Sequence, residues 1–113
     1  MTISQEKNNK MFDMLVEGHI DLFNEEREKG ALPDFSSKNF RGIDLRRCQL
    51  DGVSLNGAYL GNTDLRGLDL RNCDLEGASI KAAKISGVFF PSNLPADEIT
   101  MSNQLGTRLR TRK

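Results

Sequence analysis

The chain has 113 residues, enough for one small domain whose ends carry much of its surface. Sixteen acidic and sixteen basic residues cancel, which excludes the overall polyelectrolyte character of a general nucleic-acid binder or a DNA imitator. The opening stretch MTISQEKNNK is polar with no apolar run behind it, so no secretory leader or membrane span is expected and the location reads as cytoplasmic. Charge is nevertheless uneven, at −3 over residues 1–30, +1 over 31–92 and +2 over 93–113. Two cysteines, Cys48 and Cys73, suit a reducing compartment and offer no disulfide framework.

Residues 1–30 read as an N-terminal helical cap. A helical pattern runs over 5–29, with Phe12, Leu15, Val16, Ile20 and Phe23 as its apolar stripe and Gly30 and Pro33 as its stop. Gly18 interrupts it, so two short helices are expected, covering the open end of whatever follows.

From residue 35 onward every fifth residue is large and apolar: Phe35, Phe40, Leu45, Leu50, Leu55, Leu60, Leu65, Leu70, Leu75, Ile80, Ile85 and Phe90. Two positions earlier the residues are mostly small or medium, among them Ile43, Cys48, Val53, Ala58, Cys73 and Ala83. One position earlier stand Asp34, Asn39, Asp44, Asp64, Asp69 and Asp74. Two positions later glycines recur, with Asn62 and Asn72 in two of the remaining slots. A period of five matches neither a helix nor a strand. It demands a short extended piece and a corner in each unit. Gly takes the positive φ that a type II corner needs, and Asn tolerates it. Four sides close a square coil of twenty residues, so the twelve units of 31–92 predict three coils joined by parallel ladders at about 4.8 Å. Both apolar phases then point inward, and the twelve large residues form the core.

The runs DLRRC, DLRGL, DLRNC and DLEGA resemble the pentapeptide-repeat family, whose unit is a small residue, Asp or Asn, Leu and two variable positions. The resemblance covers residues 33–92. It implies an all-β solenoid, a right-handed quadrilateral parallel β-helix, here of about three coils between the N-terminal helical cap and a short C-terminal helix. It implies no single function, because members are diverse.

Residues 93–113 read as a capping helix and a basic tail. Pro95-Ala96-Asp97-Glu98 is a helix start and Gly106 a stop, with Ile99, Met101 and Leu105 expected against the last coil. The tail Thr107–Lys113 is expected to be mobile.

Chemistry is sparse. His19, the one histidine, has no Cys, His or carboxylate cluster at ligand spacing. Cys48 and Cys73 fall in inward slots and read as small buried hydrophobes. No nucleophile–base pair or phosphate loop is visible, so neither an enzyme nor a cofactor or metal site is expected. Asp44-Leu45-Arg46, Asp64-Leu65-Arg66 and Asp69-Leu70-Arg71 place an acid and a base outward around a buried leucine, with Asp44 over Asp64 and Arg46 over Arg66. The reading is an interaction or scaffold module with a protein partner. Its candidate contacts are Asp44, Arg46, Asp64 and Arg66 on this face and Arg108, Arg110, Arg112 and Lys113 in the tail. Two alternatives stand beside it. One is a DNA-mimic topoisomerase inhibitor, although family members of that kind are long and acidic. The other is a homo-oligomer in which two solenoids stack end to end or the acidic N-terminal helix of one copy meets the basic tail of another. Nucleic acid is not an expected partner.

Overall fold

The computed structural model describes residues 3–112. Helix α1 spans Gln5–Val16, and its N-terminus is held by the Ser4 side chain, which accepts from Lys7 N–H at 3.1 Å. Gly18, at φ 83°, turns the chain into α2, Ile20–Glu28. Gly30 at φ 97° ends that helix. A third helix, α3, spans Ala96–Leu105 and stops at Gly106 with φ 79°.

Between the helices the all-β expectation is overturned. The described residues contain three helices and no β-strand; residues 34–89 make only isolated parallel bridges. These join Asp34 to Ser54, Asn39 to Tyr59, Asp44 to Asp64, Ser54 to Asp74, Tyr59 to Ser79, Asp64 to Lys84 and Asp69 to Phe89. The reason is local. A four-residue turn is closed in each unit from Phe35 through Ile85, as by Lys38 N–H on Phe35 O at 3.2 Å and Leu68 N–H on Leu65 O at 3.1 Å. What remains of a five-residue unit can offer a single residue for bridging, whereas a strand needs consecutive ones. The extended pieces anticipated from the period are therefore too short to build ladders.

The bridges return the chain over itself every twenty residues, stacking 33–52, 53–72 and 73–92 as three levels. Phe35 N–H donates to Ser54 O at 3.0 Å, and Tyr59 N–H donates back to Lys38 O at 2.9 Å. The third residue of most turns falls in the left-handed region, as for Gly42 (φ 73°) and Gly67 (φ 77°). Ser37, Arg47, Asn62 and Ala82 adopt it too, at φ 61°, 67°, 56° and 57°. Asn72 does not; its side chain instead donates to Asp51 Oδ1 at 2.8 Å.

Inside the levels, the large residues from Phe35 through Ile80 are buried, while Ile85 and Phe90 in the third level are half-buried. Each such burial is worth about 1.5–3 kcal/mol. Met11, Leu15 and Phe23 close the upper end, with Phe12 edge-on to Phe35 and Phe40 at 5.8 and 5.2 Å. Val16 lies outside this stripe and is exposed. At the lower end Leu94 and Leu109 are buried and Ile99 is half-buried, whereas Leu105, expected to cap there, is 68% exposed.

Side-chain amides finish the polar edges. Asn8 is buried, donating to Asp34 O at 2.8 Å and accepting from Asp34 N–H at 2.7 Å. Asn24 treats Arg47 O and Gln49 N–H the same way, both at 2.9 Å. Asn103 donates to Ile80 O and Ala83 O at 3.1 and 3.0 Å. These groups take the place of an absent neighbouring level.

The left-handed slots make a clean test. Space around the Cβ position of Gly67 is open, so Gly67→Ala pays only backbone strain and is expected to lower stability by ~1–2 kcal/mol. Ala82→Gly is expected to raise stability, by at most ~1 kcal/mol. Urea denaturation midpoints of both variants against wild type measure these changes.

Candidate interaction site

Two Asp/Arg pairs on the outer surface, Asp44 with Arg46 and Asp64 with Arg66, close into one network, and a third, Asp69 with Arg71, stands beside it. A carboxylate two residues before an arginine, across a buried leucine, lies within reach of both its backbone N–H and its guanidinium. Arg46 bonds Asp44 through Nη2 at 2.8 Å and crosses through Nε to Asp64 Oδ2 at 3.3 Å on the level below. Arg66 holds Asp64 at 2.8 Å, and Arg71 holds Asp69 at 2.8 Å. The acid and base columns thus interlock. Hydrogen bonds from Arg66 bring the Asp64 carboxyl down to about 2, and those from Arg71 do the same for Asp69, also to about 2. Asp44 is lowered for the same reason by Arg46. Arg71 in turn lies over the ring of Phe89 at 5.1 Å, and Phe89 is 57% exposed.

Beside this network a cleft of about 1050 Å³ opens between the α1–α2 junction and the corner of the first two levels. Its walls include His19 and Leu22 on one side and Arg46, Arg47, Arg66 and Asp69 on the other. Nothing in the five-residue pattern announces this recess.

The tail corrects the expectation of mobility. Leu109 is fully buried, its N–H donates to Ala78 O and its carbonyl accepts from Gly77 N–H, both at 2.8 Å. One residue of the tail thereby occupies the position that a fourth level would fill. Arg108 donates to Gly57 O and Gly77 O at 3.2 and 2.7 Å. Arg110 is bound to Glu98 through Nη2 at 2.6 Å and Nε at 3.1 Å, which lowers the Glu98 carboxyl. Thr111 N–H donates to Glu76 at 2.7 Å and Arg112 N–H to Asn93 O at 2.7 Å. Lys113 lies outside the described residues. Buried Leu109 was the signal among the arginines, and counting charge overlooked it. Asn8, Asn24, Ser102 and Asn103, which bind the open edges, also escaped the sequence reading.

His19 is exposed, 3.8 Å from Glu17. Burial pushes the thiols of Cys48 and Cys73 up to about 12 and about 11, so both stay protonated at neutral pH. Among the described residues no group of three or more His, Cys, Asp and Glu is placed to hold a metal ion. No described helix is long and apolar enough to cross a membrane.

A comparison with family models agrees with the motif. The pentapeptide-repeat model, eight copies long, matches residues 34–67 and again 54–90. The chain belongs to the pentapeptide-repeat family. No curated protein and no solved structure matches it.

Two outcomes are expected. A carboxyl whose folded value lies below its unfolded ~3.9 stabilises the fold above that value and loses the contribution as pH falls through its folded value. Stability of the wild type should therefore drop between pH ~4 and ~2, and an Asp64→Asn/Asp69→Asn variant should show a shallower drop in urea midpoints over that range. Leu109→Ala is expected to cost about 2–5 kcal/mol. It should also release the tail, read as faster tryptic cleavage after Arg108 and Arg110.

Proposed function

We propose that this is a non-catalytic, cytoplasmic interaction module that docks another protein at the corner carrying Asp44, Arg46, Asp64 and Arg66. One contrast supports the reading. The tail commits Arg108 and Arg110 to internal partners, whereas Asp44, Arg46 and Arg66 line the recess of about 1050 Å³. Interlocked side chains hold their rotamers before a partner arrives, which reduces the entropy lost on binding. Arg71 over exposed Phe89 adds residue types that commonly anchor protein interfaces.

The other readings gain less. Asp44, Asp64 and Asp69 are each bound by an arginine, unlike the bare carboxylate rows of a DNA mimic. Pairing between an acidic N-terminal helix and a basic tail on separate copies must compete with the internal Arg110–Glu98 bond.

Crosslinking capture from host extract with three baits tests the proposal. Wild type and Arg108→Ala/Arg112→Ala should retain the same partner, with crosslinks near residues 44–71. Arg46→Ala/Arg66→Ala should lose it. Retention by the corner variant together with loss by the tail variant refutes the assignment.

A further inference from the structure

We propose that the corner cleft binds an extended peptide segment of the partner through its backbone, with a carboxylate of that segment on Arg47. This rests on the interaction-module reading and gives the module a site and a ligand chemistry. Backbone bonds recur between the first and second levels. Ser37 N–H donates to Asn56 O at 2.8 Å, Gly42 N–H to Gly61 O at 3.0 Å and Asp64 N–H to Ile43 O at 3.0 Å. At the corner the same pattern calls for Arg47 N–H on Arg66 O and Asp69 N–H on Cys48 O. Neither bond is made, and Gln49 and Asp69 form no bridge. Arg47, Cys48, Arg66 and Asp69 all line the cleft.

Helix α2 holds the upper strip from the opposite side. Asn24 takes Arg47 O and Gln49 N–H, and Arg27 Nε donates to Gln49 O at 2.9 Å. The strip is therefore fixed while its lower backbone groups lack protein partners, and such groups favour a ligand that offers both a donor and an acceptor. A peptide group offers both. The protein already uses this chemistry on itself: the Asn8 amide satisfies Asp34 N–H and Asp34 O together. Extended segments pair with open backbone edges by the same geometry.

Charge selects further. Arg46, Arg66 and Arg71 are each bound to an aspartate, while Arg47 has no carboxylate partner among the described residues. It sits in a turn slot more often filled by glycine, at φ 67°. Asp69 is neutralised by Arg71, and Asp21 on α2 repels a second acid at its end of the cleft. Leu22, half exposed, supplies apolar contact at the rim.

The test is selection of a phage-displayed random peptide library on the full chain, followed by amide chemical-shift mapping of a selected peptide. Selected peptides should carry Asp or Glu and shift the amides of Arg47 and Asp69. Binding to Arg47→Gly, a variant suited to the left-handed backbone, should be about tenfold weaker. Equal binding to Arg47→Gly overturns the proposal. Peptides that shift other residues overturn the cleft but leave the interaction-module reading standing. Failure to select any peptide counts against both.

Discussion

The controlling constraint is how little backbone each repeat has left to share. The turn takes its residues first, and neighbouring levels are joined by single bridges between residues twenty apart. Backbone pairing of this kind cannot hold three levels together without help. The buried columns from Phe35 to Ile80 provide it, each large side chain contributing an increment comparable to or larger than a net hydrogen bond. Conversely, the columns exist only because the turn recurs without slippage. A shift of one residue would bring outward aspartates into the core.

The same constraint explains the ends. A level with no neighbour leaves polar backbone groups that must be satisfied one at a time. Amide side chains suit this task, since each carries a donor and an acceptor spaced like those of a peptide. Asn8 and Asn24 serve the first level, and Asn103 with Ser102 serves the third. Apolar cover and polar closure therefore come from the same helices, which couples helix docking to the integrity of the repeats.

Family membership was legible in DLRRC, DLRGL and DLRNC, and the turn slots in their glycines. The helical segments could be bounded because Gly18, Gly30 and Gly106 punctuate them. Strands were over-read: periodicity reports which way side chains face, but it does not reveal whether consecutive residues can pair. Leu105 and Leu109 were equally plausible caps by composition. Only the end of α3 at Gly106 and the bonds at Gly77 and Ala78 favour the latter. The acid–base contacts of Asp44, Arg46, Asp64 and Arg66 could be anticipated from a twenty-residue return. The cleft beside them could not, because the pattern of apolar residues runs unbroken past it.

Leu109 also has a bearing on the order in which the molecule can be completed. During synthesis the N-terminal helices precede the first level, so its upper edge can be closed as soon as that level forms. The lower edge waits for Leu109, far along the chain, to return to Gly77 and Ala78. Until then a nascent or shortened chain exposes unpaired backbone and an apolar end, the combination that invites association with its neighbours. The segment around Leu109 thus acts as a seal on the stacked levels.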